Sequence, residues 1–525
     1  MSKGDYRLCP MMSPGRAAPS DELVPHSSLP YALCSWAAFN MGCLLVLALW
    51  LGLGCLLYFA LGENEAALGV FAAGILTLAL LLLSFVLVYL CAKNSFQIWA
   101  LKHPWNPLSR LFIPCISVFE GLEACNPAYL VGLRELHGKN FCCAGQVVLS
   151  DFAQIASSLA SGQQRQASLG AQPLIASHFL GGAAPGGSRN TFLLALSDDD
   201  APEEDSQHHG PFRKCLVENF LGHGSLSRQT DSTAVALLDT LEQDYAEMGM
   251  GESAFFDAPR KGWRGFWIRY SHYVLLGMDP ADEAAMDTLQ PLFGTDMLPL
   301  LHYLMPFGYF TSDTSFKKVA ALYESSPALK DFEERCPAWH MMTKKELSEL
   351  MVAVMRIAAI TGTCQLGSTV MGNMPFPAYG GHATREIDVR QIWDYKLDLD
   401  DPLAVRRYVL ECARLYPPVS AASRVAREDF EAEMSGQLHR FPAGTKVLIG
   451  HGLGMVDPEV WGSSSFDFDA ERPLLETHTL AFNAVGTEPS QQARRQCPGQ
   501  ELVLETLVIV LQRLGRLRRL RLHRK

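Results

Sequence analysis

The sequence has no excess of positive charge. Its 525 residues carry 44 Lys and Arg against 55 Asp and Glu, a formal net charge of −11, so bulk electrostatics gives no footing for a nucleic-acid partner. It has no recurring cysteine pair: the 14 cysteines are scattered, several of them inside an apolar N-terminal region. That argues against a secreted disulfide framework and for reduced, cytosol-facing thiols. No internal repeat at solenoid or propeller spacing is visible. With 48% hydrophobic residues, the chain has ample material for a large core.

Charge is missing altogether from Tyr31 to Gly62 and from Ala66 to Ala92, on either side of Glu63-Asn64-Glu65. Each run is long enough to cross about 30 Å of hydrocarbon at about 1.5 Å per residue. The pattern predicts a flexible tail over 1–30 and a transmembrane helical hairpin over 31–92, with helices at about 38–62 and 66–92. Lys3, Arg7, Arg16, Lys93 and Lys102 flank the outer ends, which places the tail and the main domain in the cytosol by the positive-inside tendency. The polar residues ahead of the first run argue against a cleaved signal peptide. The expected location is therefore a membrane, multi-pass, of the endoplasmic reticulum or a plastid envelope, with the lipid bilayer as a partner. A linker and entry segment, 93–132, leads into the main domain, 133–525.

Within that domain, Gly162 to Arg189 is rich in Gly, Ala, Ser and Gln and reads as a surface loop. The acidic run Ser197 to Asp205 reads as a solvated loop without EF-hand spacing. Thr343 to Met371 predicts a long interior helix. Thr343 and Glu346 have capping-box spacing, and Leu347, Leu350, Met351, Val354 and Ile357 follow at helical period. Its second half carries Gly362, Thr363, Cys364 and Gly367, a run of small residues that lets something bulky approach the backbone. Asp401-Pro402 predicts an N-cap and first helical residue, and Pro417-Pro418 a stop. Glu411 and Arg414 are three apart on that helix and share a face. Phe441 to Gly450 reads as turn then strand. Helices predominate, so the fold class is mostly α with small β-sheets.

Near the C-terminus, Cys497 sits between Arg494-Arg495 and Pro498-Gly499, ahead of an apolar helical run. The helix N-terminus and the arginines favour a thiolate there. Such a group serves as a nucleophile, a zinc ligand or the axial ligand of a haem iron, and the alternative is a buried thiol beside a turn. No second Cys or His lies at zinc-ligand spacing.

Glu411-Cys412-Ala413-Arg414-Leu415-Tyr416-Pro417-Pro418 resembles the E-x-x-R helix of the cytochromes P-450. Phe441–Thr445 (FPAGT), Val456–Trp461 (VDPEVW) and Phe468–Arg472 (FDAER) follow in that family's order. The resemblance is strong from about Asp401 to Leu514 and extends less distinctly back to about Leu133. It implies the cytochrome P-450 fold for 133–525, with haem b as cofactor and Cys497 as the axial ligand of its iron. It also implies a structural triad of Glu411, Arg414 and Arg472, and propionate contacts from Arg213, Arg424 and Arg495. His209, four residues before Arg213, resembles the partner of that arginine near the haem edge.

Two departures from the family pattern shape the expected reaction. Phe482-Asn483 lies far upstream of Cys497, and Asn483, Gly486-Thr487, Pro489 and Arg495-Gln496-Cys497 follow the outline of the allene oxide synthase and hydroperoxide lyase branch. The central helix also lacks the acid-Thr pair of oxygen-activating members. Thr363, Cys364 and Gln365 occupy that register, and they become the candidate catalytic residues. For Gln365 the alternative is a core amide bonded to the helix backbone. A substrate that already holds an O–O bond needs no proton relay. The resemblance thus implies a fatty-acid hydroperoxide isomerase, dehydratase or lyase acting on a lipophilic substrate without O2 or NADPH. The alternatives are a monooxygenase supplied by a membrane NADPH-dependent reductase and a non-catalytic haem-binding relative. The basic end, Arg516 to Lys525, reads as one strand, a lipid-facing tail or a truncated terminus.

Overall fold

In a computed structural model, the described residues are 94–110, 127–161, 164–166, 223–247, 260–294, 306–335, 343–372, 397–426, 428–482 and 497–522. The single positions 74, 113, 116, 120, 217, 221, 255 and 256 are also described. The chain divides into two compact units, Met1–Leu83 and Ser84–Lys525. The second unit is mostly helical with two small sheets.

The expected membrane location is corrected. Among the described residues no helix is long and apolar enough to cross a membrane. The hairpin predicted over 31–92 lies outside the described residues apart from Gly74. The tail 1–30 and the acidic run 197–205 lie outside them as well.

The stretch read as a linker begins with a helix, α1 (Asn94–Lys102). Asn94 Oδ1 accepts from Cys142 N at 2.7 Å and Gln97 Oε1 from Gly145 N at 3.0 Å, which fastens α1 to the first hairpin. That hairpin is β1 (Asn140–Cys143) and β2 (Gln146–Leu149), turned by Ala144 and Gly145, both at positive φ. Two left-handed residues match the twist of a two-residue hairpin loop. Helix α2 (Phe152–Ser161) and β3 (Gln164–Gln166) follow. The larger sheet runs β1-β2-β7-β4-β3, with β4 at Ala422–Ala426 and β7 at Lys446–Ile449. β2 pairs with β7 in parallel, Val147 beside Val447, and β7 pairs with β4 antiparallel. A separate hairpin joins β5 (Phe430–Met434) to β6 (Gln437–Phe441). The turn-then-strand expected from Phe441 to Gly450 therefore ends as β7.

The helical layer contains α3 (Ser232–Glu247), α4 (Gly262–Leu276), α5 (Glu283–Phe293) and α6 (Pro306–Glu324). It also contains the central helix, α9 (Pro402–Leu415) and α10 (Gln500–Leu522). The central helix has three parts: α7 (Lys344–Val354), a π-helical segment (Met355–Gly362) and α8 (Thr363–Val370). Helix α4 is enclosed on almost every side because it feeds two cores. Trp263, Trp267 and Tyr270 pack with α3, α8, α9 and α10, while Ile268 and Leu275 pack with α5, α6 and α7. Of the three readings of the basic end, the strand is corrected: the chain continues as α10 to Leu522, its leucines extending the apolar helical pattern.

His272 on α4 gives this core a pH dependence. It is fully buried, its Nδ1–H donating to Ile268 O at 2.6 Å and its Nε2 accepting from Tyr323 Oη at 2.6 Å. Burial pushes its pKa down from 6.5 to about 4. The unfolded chain therefore takes up a proton near pH 6.5 that the folded protein refuses until about pH 4, and stability falls as pH falls through that window. At pH 5 the loss is about 2 kcal/mol. The urea midpoint is expected to drop between pH 7 and pH 5, and the drop to shrink in His272→Gln. An identical drop in both proteins would exclude His272 as its source.

Candidate functional site

Helix α9 forms as its residues dictate. Asp401 Oδ1 accepts from Leu403 N at 2.9 Å, Pro402 opens the helix, and the chain leaves it at Tyr416 ahead of Pro417. The helix delivers Glu411 and Arg414 side by side, both fully buried. Arg414 Nε donates to Glu411 Oε2 at 2.7 Å and Nη2 to Oε1 at 2.8 Å, a bidentate pair. The remaining donors of Arg414 reach Met455 O and Ser465 O, each at 2.6 Å, and Asp467 O at 3.1 Å. Arg472 closes the group, with Nε 3.2 Å from Glu411 Oε1 and further bonds to Trp461 O and Asp467 O. Asp469 N also donates to Glu411, and Arg414 lies over the Trp461 ring at 5.0 Å. This network ties the stretch 455–472 to α9.

Cys497 is half-buried, and its sulfur forms no disulfide among the described residues. Its N–H donates to Phe482 O at 2.8 Å, which holds the cysteine beside residue 482. Three residues later α10 begins, so the sulfur lies at the positive end of a long helix dipole. A Cβ at Gly499 would stand 4.0 Å from Cys497 Sγ, an ordinary van der Waals contact. Cys497 packs against the core that contains Cys364, Leu366, Trp263 and Phe482. The cysteine segment and the central helix therefore share one core. From the surface side, Arg406 on α9 bridges Glu476 at 3.3 Å and Glu501 at 2.9 Å, holding the first turn of α10.

Arg424 is buried on β4, opposite Val447 of β7. His451, at the end of the same sheet, is also buried, and its Nε2 has no hydrogen-bond partner among the described residues. Burial, helped by the Arg424 charge, pushes the His451 pKa down to about 3, so this imidazole is neutral at pH 7. Sequence reading passed over His451. Its signal was a lone histidine directly after a strand of apolar residues.

On the central helix, Thr363 and Cys364 are buried, whereas Gln365 is half-buried. The Gln365 side-chain amide has no hydrogen-bond partner among the described residues, so it is not the backbone-bonded core amide of the alternative reading. Its main-chain carbonyl accepts from Thr369 Oγ1 at 3.2 Å. The bulky group admitted by the small residues is an indole. A Cβ at Gly367 would lie 2.5 Å from Trp263 Cζ2, and Trp263 Nε1 donates to Cys364 O at 3.1 Å. The π-helical segment was not foreseen. Ser271 Oγ of α4 donates to Ala359 O at 3.2 Å within it. Short π-helical stretches concentrate at functional sites. His209, Arg213, Asn483 and Arg495 lie outside the described residues.

No family model matches this sequence, and no curated protein matches it. Among solved structures, CalO2 is similar with 17% identity over 74% of this chain and 88% of its own, at a TM-score of 0.49. A mutant of cytochrome P-450 EryK in complex with erythromycin B has 15% identity over 75% of this chain and 88% of its own, also at 0.49. A cytochrome P-450 from Chondromyces apiculatus has 15% identity over 74% of this chain and 87% of its own, at 0.48. Identities this low leave the activity to the residues themselves.

Proposed function

We propose that this chain is a haem-thiolate enzyme of the cytochrome P-450 superfamily that rearranges or cleaves fatty-acid hydroperoxides without O2 or NADPH. One observation carries the choice of reaction. From Leu350 to Met371 the central helix has no Asp or Glu, and its half-buried polar group beside Cys364 is the amide of Gln365. An amide orients an oxygen but does not deliver protons, and reduction of O2 requires two.

The donor set fits a haem. Cys497 supplies a half-buried sulfur at a helix start, and Arg424 supplies a buried cation for a propionate. The neutral His451, its Nε2 without a partner among the described residues, lies in the same electrostatic neighbourhood as Arg424. When bound, a thiolate-ligated haem supplies cleavage of a substrate O–O bond. The protein's share is positioning. The Glu411-Arg414-Arg472 network fixes the stretch 455–472 to α9, and the bond from Cys497 N to Phe482 O holds the cysteine beside residue 482. The Gln365 N–H donors hold the hydroperoxide oxygen, and Thr363 and Cys364 turn into the core to leave that face to the substrate.

The test is anaerobic mixing of purified protein with a polyunsaturated fatty-acid hydroperoxide, NADPH being absent. Rapid loss of the conjugated-diene absorbance is expected. Gln365→Ala is expected to slow it about tenfold, the worth of one orienting hydrogen bond, with haem content unchanged. Oxygen incorporation that depends on NADPH and a reductase, without anaerobic turnover, would replace this reading with monooxygenation.

A further inference from the structure

We infer that the Arg356 guanidinium, on the half-exposed stripe of the central helix, binds the carboxylate of an acyl-chain substrate. The inference deepens the proposed function, on which it rests for placing the reacting end of that substrate near Gln365.

Arg356 is the one charged residue between Leu350 and Val370. Among the described residues nothing pairs with it: its Nη1 is enclosed and has no hydrogen-bond partner. Burial alone pushes its pKa down, with no anion acting in the other direction. A guanidinium nitrogen enclosed without a hydrogen-bond acceptor carries a desolvation cost that an anionic partner would offset. Its neighbours along the helix, Met355, Ile357 and Ala358, are apolar and offer no compensation. An anion that arrives with the ligand does.

The helix geometry says where that ligand lies. In a π-helix residues five apart stand above one another, and in an α-helix residues four apart do so. The face of Arg356 therefore passes through Thr361 to Gln365, and all three are half-buried. Met355, Ile360, Cys364 and Leu366 turn instead into the cores. Arg356 and Gln365 are separated by at most roughly 13 Å along the axis, at about 1.5 Å per residue. That spacing suits a fatty acid whose carboxylate sits at one end of the stripe and whose mid-chain oxygens sit at the other. The planar fork of arginine matches a carboxylate bidentately.

Calorimetric titration of the haem-loaded full chain with stearic acid and methyl stearate tests this without any turnover. The acid is expected to bind about tenfold tighter than the ester or better. In Arg356→Met that preference is expected to vanish, while the thermal midpoint of the ligand-free protein rises because an uncompensated charge is gone. Equal affinities of wild-type protein for acid and ester would overturn the inference. So would an undiminished preference, or a lowered ligand-free midpoint, in Arg356→Met. Acid preference without hydroperoxide turnover leaves the Arg356 site in place and removes the reaction. Turnover without acid preference removes the Arg356 site alone.

Discussion

Cys497→Ser is expected to abolish the hydroperoxide turnover proposed above and, with it, the Soret band that marks a thiolate-ligated haem in the reduced, carbon monoxide-bound state. A serine oxygen does not take over the anionic sulfur's role toward iron, so the expected effect is complete. The fold is expected to survive. The hydrogen bond that holds position 497 uses the Cys497 N–H and Phe482 O, both main-chain atoms. Helix α10 buries Leu504, Leu507, Val510, Leu511 and Leu514 without help from the sulfur. Far-ultraviolet dichroism and the urea midpoint of the variant are therefore expected to stay close to those of the wild type. A visible spectrum identical to that of the wild type would end the assignment of Cys497 as ligand, and with it the haem-thiolate reading.

Glu411→Leu is expected to cost about 3–5 kcal/mol, the usual penalty for removing one partner of a buried ion pair. The carboxylate holds two arginines at once, Arg414 at 2.7 Å and Arg472 at 3.2 Å, in a setting where its own side chain and that of Arg414 have no exposure. After the substitution two guanidinium groups remain enclosed beside an apolar side chain. Against a typical total stability of about 5–15 kcal/mol, a loss of that size is a large share of the whole. Urea unfolding at pH 7 measures it directly. Arg414→Lys separates charge from geometry: it keeps the cation but loses the fork that reaches Glu411, Met455 O, Ser465 O and Asp467 O. It is expected to destabilise nearly as much. A midpoint within experimental error of the wild type in Glu411→Leu would show that the network contributes specificity without stability.

The helix that carries this network was legible because its signals are local. Asp401 caps, Pro402 starts, Pro417 stops, and Glu411 meets Arg414 within one turn. Arg472 is 61 residues from Glu411, and only the resemblance to a known family linked the two. The central helix was legible as a helix but not as a π-helical one. The π-helical segment accepts a hydrogen bond from Ser271 on α4, which no pattern within residues 343–371 encodes. Gly367 was read as room for a bulky group, and the group is Trp263, again a tertiary partner. Arg356 had a visible signal, a single cation in an apolar helical run, and it went unused. The predicted membrane hairpin came from hydropathy alone, and nothing in the described fold corresponds to it.

The parallel pairing of β2 with β7 has a further consequence, for biosynthesis. Val147 meets Val447 across three hundred residues of intervening chain. At a synthesis rate of about 5–20 residues per second, a ribosome needs roughly 15 to 60 s to supply the second strand after the first. For that interval the nascent β1–β2 hairpin carries an open edge of Gln146, Val147, Val148 and Leu149, an apolar template of the kind that recruits foreign strands. Expression of this chain is thus expected to be sensitive to the supply of co-translational holdase chaperones, and slow-translating hosts lengthen the exposure.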